Sequence, residues 1–170
     1  MTVPAHTEHL AAELGQLLLR KKCTITTAES CTGGGIAYSL TAIPGSSAYL
    51  ERGFIAYGNK AKQQLLGVKS ATLLQFGAVS EETVLEMAQG AALAANADVA
   101  VAVSGIAGPD GGSMQKPVGT VCFGFHLSGH TITTRLIFAG DRQTVRQQSI
   151  DYALQQLIFL LTDQSHSTTV

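Results

Sequence analysis

The chain has 170 residues, 45% hydrophobic and 14% charged, which suits one folded domain with a real core and excludes a disordered, solvated chain. Eleven basic residues balance twelve acidic ones, without the basic stripe of a nucleic-acid binder, and the most apolar stretch, 91–107, is broken by Asn96 and Asp98, which excludes a transmembrane span there. The three cysteines, Cys23, Cys31 and Cys122, are odd in number and lack C-x-x-C spacing, so neither a disulfide framework nor a zinc site is expected, and a cytoplasmic setting fits best.

Leu10, Leu14, Leu17 and Leu18 recur at helical spacing and predict an amphipathic helix ending near Lys22. The β-branched run 23–28 reads as a strand, and Glu29 to Gly35 as a glycine-rich turn into a short helix over 36–42 that Pro44-Gly45 stops. A second strand is expected over 52–57. Helices follow over 59–66, with Gly67 as C-cap, and over 70–76. Ser80 is a suitable N-cap, with Glu81 and Glu82 in the first turn and Val84, Met87, Ala88, Ala91 and Ala95 as an apolar stripe. That alanine-rich helix leaves a homo-oligomer open, although packing within the chain is the simpler use of it.

Residues 99–103 are apolar throughout, the mark of a strand covered on both faces. A long loop follows, from Ser104 to Gly112. Val121, Phe123, Phe125 and Leu127 alternate, as do Ile132, Thr134, Leu136 and Phe138 after a Ser128-Gly129 turn, and this predicts an antiparallel hairpin. Asp141 can cap a last helix bearing Ile150, Ala153, Leu154, Leu157, Ile158 and Leu161 on one face. The tail after Asp163 reads as polar and frayed. The order predicts a single α/β domain over 1–170, with a core of about 5–162: three layers, a mixed β-sheet flanked by helices.

Ligands of such sheets bind beyond the carboxyl ends of the strands. Two strands end in loops rich in glycine and hydroxyls, at 29–35 and 104–112; if they are parallel neighbours, both loops line one pocket. Backbone N–H groups of Thr32, Gly33 and Gly34, at a helix start, could hold a phosphate or an oxyanion, or Ser30 and Thr32 could simply cap the helix. A serine needs a base. No histidine stands in a recognisable motif, so a lysine depressed by burial is the alternative, and spacing does not choose between Lys60 and Lys62. Cys31 at a helix start is a further candidate nucleophile.

Thr27-Ala28-Glu29-Ser30-Cys31-Thr32-Gly33-Gly34 resembles the opening signature of the CinA carboxy-terminal domain family. Pro44-Gly45-Ser46-Ser47, Tyr57 to Lys62 with Leu65-Leu66-Gly67-Val68, Gly77-Ala78-Val79-Ser80, Ser104 to Gly112, Lys116 to Val121 and Gly140-Asp141-Arg142 continue the resemblance in order. It implies a nicotinamide-nucleotide amidase that converts nicotinamide mononucleotide and water to nicotinic acid mononucleotide and ammonia, with no metal or cofactor. By the same resemblance Ser30 is the nucleophile and Lys62 the base. Tyr57 assists near the dyad, and Ser47 is a second pocket serine. Ser104, Gly105, Ala107 and Gly108 line the substrate site, and Arg142 contacts the phosphate. With Ser30 as nucleophile, the adjacent N–H groups of the 32–34 turn go to the oxyanion and the phosphate goes to Arg142 or the Ser104 loop; if the phosphate sat on Gly33-Gly34, Ser47 would become the better nucleophile. Gly58 and Lys60 depart from the family pattern, where a serine and a carboxylate are common. The alternative is a non-catalytic nucleotide-binding regulatory module.

Overall fold

The computed structural model describes residues 2–163; the expected frayed tail lies outside them. The elements are α1 (Ala5–Lys21), β1 (Ile25–Glu29), α2 (Gly35–Thr41), β2 (Leu50–Ile55), α3 (Asn59–Leu66), α4 (Ser70–Phe76), α5 (Glu81–Ala95), β3 (Val99–Gly105), β4 (Thr120–Leu127), β5 (His130–Ile137) and α6 (Arg142–Asp163), with a 3-10 turn at Ser46–Ala48. The five strands form one mixed sheet in the order β2-β1-β3-β4-β5. β2, β1 and β3 run parallel, and the hairpin β4–β5 adds antiparallel to β3. The fold is α/β, and the two glycine-rich loops follow neighbouring parallel strands.

The alternation along β3 explains the layering. Val99, Val101 and Val103 face a core built with α1, α2 and α6, where Leu14, Leu18, Leu154 and Leu157 are buried. Ala100 and Ala102 face the other side, where α5 contributes Val84, Met87, Ala88 and Ala91. Branched side chains thus fill the thicker layer, and small ones admit α5 closely. Gly124 on β4 serves the same approach, since a Cβ there would overlap the Val84 carbonyl. Gly90 on α5 does so toward α3, where a Cβ would overlap the Leu66 carbonyl oxygen.

Local signals account for most boundaries. Ser80 Oγ accepts the Thr83 N–H and starts α5. Gly67 closes α3 in the left-handed region at φ 68°. Asp141 Oδ1 accepts the Thr144 N–H at 2.8 Å as α6 begins. On α5 the buried stripe takes Ala92, while Ala95 is only half-buried. Two strand expectations shift. β2 begins at Leu50 and ends at Ile55, because its parallel pairing with β1 starts at Ile25↔Leu50. β5 is an edge strand, so Leu136 and Phe138 pack on the core while Ile132 stays 46% exposed. Among the described residues, no helix is long and apolar enough to cross a membrane.

Candidate active site

β1 is buried throughout, and Ser30 is the first residue past it. Its N–H donates to the Val103 carbonyl at 2.9 Å, so the end of the ladder fixes the turn. α3 carries Lys62 inward, leaving it 1% exposed. Lys62 Nζ lies 3.1 Å from Ser30 Oγ, 2.9 Å from the Ala56 carbonyl and 3.0 Å from the Tyr57 carbonyl. Burial holds the Lys62 ammonium below the ordinary lysine pKa. Carbonyl oxygens only accept, so they take two N–H bonds of the amine. In the neutral form the remaining position is a lone pair, and the third partner, Ser30 Oγ, can offer it a proton. In the ammonium form the same position becomes a donor toward the serine oxygen.

This geometry distinguishes the two lysines. Lys60 is exposed, and a Cβ at Gly58 would meet open space, so neither departure from the family pattern reaches into the cavity. Lys60 is not among the causes of the Lys62 shift. Cys31 is a poor nucleophile, because burial pushes its thiol up to about 12.

The cavity at Ser30 and Lys62 has a volume of about 220 Å³ and is also lined by Tyr57, Ser104, Gly105, Ala107 and Arg142, among others. Ser104 Oγ donates to the Ala78 carbonyl at 2.7 Å. Arg142 lies at the mouth, donating to the Gly108 carbonyl at 2.8 Å and to the Tyr57 hydroxyl at 3.1 Å. Gly108 therefore reaches the site through its carbonyl on Arg142. A larger recess of about 460 Å³ lies at the opposite ends of the strands, near Cys23 and Asp98, far from this chemistry.

Several sequence-based assignments need correction. Ser47 is exposed in the 3-10 turn before β2. Because β2 runs parallel to β1, Ser47 sits at the rim opposite Ser30, about a strand length of 17–20 Å away. It does not line the cavity. Tyr57 meets the dyad through its backbone carbonyl, while its ring is 60% exposed beside Arg142. The turn is not an empty anion site either. Glu29, 0% exposed, places its carboxylate on the start of α2. Its Oε2 accepts the Thr32 hydroxyl at 2.6 Å and the N–H groups of Gly34 and Ile36, and its Oε1 accepts the Ala37 N–H. The Gly33 N–H is taken by the Ser30 carbonyl. The N–H groups of Gly33 and Gly34 and the Thr32 hydroxyl are thus committed within the protein, and neither a substrate phosphate nor an oxyanion has a vacancy on them.

Sequence reasoning missed Glu29 and Arg146. Arg146 donates from Nε to the Cys31 carbonyl at 3.0 Å and from Nη2 to the Thr32 carbonyl at 3.1 Å, holding the turn from behind. The available signal for Glu29 was a carboxylate at the end of a strand with no other charge, since a buried charge requires partners. The cavity wall at Ala78 and Val79 carried no chemical signal.

The CinA C-terminal domain model matches residues 7–161. The chain belongs to the CinA C-terminal domain family. It is 58% identical over 149 residues to the nicotinamide-nucleotide amidohydrolase PncC of Escherichia coli K12, covering 87% of this chain and 90% of that protein. The Pseudomonas putida protein of the same name is 49% identical over 154 residues, covering 91% and 96%. Among solved structures, the competence/damage-inducible protein CihA from Agrobacterium tumefaciens superposes with a TM-score of 0.91 at 44% identity, over 94% of this chain and 99% of that one. The ComA protein from Klebsiella pneumoniae superposes with a TM-score of 0.89 at 42% identity, over 92% and 97%.

Proposed function

We propose that this chain is a nicotinamide-nucleotide amidase that hydrolyses nicotinamide mononucleotide to nicotinic acid mononucleotide and ammonia, with Ser30 as nucleophile and Lys62 as general base. One observation carries the mechanism: a buried amine 3.1 Å from a serine hydroxyl, with two carbonyls occupying its other bonds. The substrate follows from family membership and from the activity for which relatives at 49% and 58% identity are named.

In this reading Lys62 removes the Ser30 proton as Oγ attacks the carboxamide carbon, then returns it to the departing nitrogen. Water hydrolyses the acyl-enzyme by the reverse sequence. A cavity of about 220 Å³ is smaller than the usual 300–1,000 Å³ of a ligand pocket. It suits the carboxamide-bearing ring and leaves the ribose phosphate toward the mouth, where Arg142 is our candidate for the phosphate. Ser104, Gly105 and Ala107 would flank the ring. The cytoplasm belongs to the same proposal, supported by three cysteines free of disulfides, two of them buried.

The test is ammonia release from nicotinamide mononucleotide by wild type, Ser30→Ala and Lys62→Ala, each shown to be folded by circular dichroism. Activity that drops by roughly 10⁴-fold or more in both variants is expected for a dyad acting as a unit. Full turnover by Ser30→Ala would overturn the assignment. Substrate binding without ammonia release in the wild type would favour the non-catalytic module.

A further inference from the structure

β3 outruns β1 at the rim where the cavity opens. Pairing between them ends at Glu29↔Val103, with the Ser30 N–H on the Val103 carbonyl. In a parallel ladder the next rung would join the Gly105 N–H to the Ser30 carbonyl. That rung is missing, because the Ser30 carbonyl turns to accept the Gly33 N–H at 3.0 Å.

The direction of the Gly105 amide follows from the other neighbour of β3. The Ile106 N–H donates to the Thr120 carbonyl on the β4 side. Successive residues of a strand point their peptide groups to opposite sides, so the Gly105 N–H points toward Ser30, as the Val103 carbonyl does two residues earlier. On that side the Ser30 carbonyl that would meet it is bonded to the Gly33 N–H instead. Gly105 lines the cavity. A Cβ there would lie 2.7 Å from Val121 Cγ2 and 3.1 Å from Cys31 Sγ, so glycine alone lets this backbone lie against the serine turn. The Cys31 N–H meets no backbone acceptor and contacts only its own thiol sulfur among the described residues. Its trans peptide directs it opposite to the Ser30 carbonyl, away from Gly33.

Resting on the amidase reading above, we propose that the Gly105 N–H, with the Cys31 N–H beside it, receives the oxyanion of the tetrahedral intermediate. Ser30 Oγ bonds to the carboxamide carbon, its proton passes to Lys62 Nζ, and the C=O π pair moves onto the oxygen at these donors. On collapse that pair re-forms C=O, the C–N bond breaks, and the Lys62 proton leaves with the nitrogen as ammonia. An unpaired inward N–H is unusual in a folded protein, and a charge that appears only during reaction gives it a partner. Arg146, gripping the carbonyls of Cys31 and Thr32, keeps the turn at the spacing this requires.

The test exchanges the amide for an ester by Gly105→glycolate substitution during in vitro translation, which deletes the N–H and keeps the shape. The expected result is a fall in kcat of about 100-fold with KM little changed, the usual size for loss of one oxyanion donor. Affinity for pyridine-3-boronic acid, which forms a tetrahedral adduct with Ser30, should fall in parallel. On the wild-type protein, which needs no altered chain to fold, the Gly105 amide proton should move downfield when the boronate adduct forms. Full kcat in the ester variant, or an unmoved Gly105 resonance in the adduct, overturns the proposal while leaving Ser30 and Lys62 in place. A wild type that releases no ammonia, or a fully active Ser30→Ala, overturns the amidase reading and this inference together.

Discussion

At the residue scale, the proposed dyad depends on keeping Lys62 neutral, and burial is what favours that form. Only the neutral amine can take the Ser30 proton. The rate constant kcat/KM should therefore climb with pH through the depressed Lys62 pKa and level off before the ordinary lysine range; a profile still rising through the ordinary lysine range would contradict this. The same shift couples to stability. Between the folded and unfolded pKa values the unfolded chain binds more protons, so stability rises with pH across that window. Chemical denaturation of wild type against Lys62→Met should show that slope in wild type only. Glu29 is the other buried charge, and its four donors all point at carboxylate oxygens. Glu29→Gln turns an NH₂ group against them and should cost about 3 kcal/mol, which lowers Tm by roughly 6–12 °C in a chain of this size. Ser30 and Lys62 were legible as a pair only through the family resemblance, since spacing left Lys60 equally open. The carbonyls of Ala56 and Tyr57 that complete the site were not legible, because every residue has a carbonyl and only the fold aims it.

At the element scale, Gly90 reverses a helix rule. Alanine for glycine in a helix interior normally stabilises by roughly 1 kcal/mol. Here the added Cβ would overlap the Leu66 carbonyl at the end of α3, so backbone must move. Gly90→Ala should destabilise by about 1–3 kcal/mol and lower kcat as well, because α3 carries Lys62. Thermal unfolding and turnover measured on the same preparation check both effects. The misassigned Ser47 belongs to this scale too. Sequence order puts it between two site segments, but in a parallel sheet the residues before a strand and those after it lie at opposite rims. Periodicity cannot tell the rims apart until strand direction is known. The helices, with clear stripes and caps, were read nearly to their ends, whereas β2 was displaced because its limits come from pairing with β1.

At the scale of the whole molecule, the α/β class and the mixed sheet were readable from element order, but the strand order β2-β1-β3-β4-β5 was not, since adjacency arises from tertiary packing. Ser30, Lys62 and Arg142 come from the β1 turn, α3 and the start of α6, so the cavity exists only when all three are docked on the sheet. Activity and far-ultraviolet circular dichroism should therefore disappear together in guanidinium chloride, and activity lost well before the helices would mark α3 as a separately melting unit. The Glu29 carboxylate has a last consequence at this scale. The glycine-rich turn looks like a receptor for phosphate, yet the chain supplies its own tethered anion there, at an effective concentration that freely diffusing ions do not match. Millimolar inorganic phosphate should leave that turn untouched, so selectivity among nucleotides has to be exercised at the amide end and at the cavity mouth.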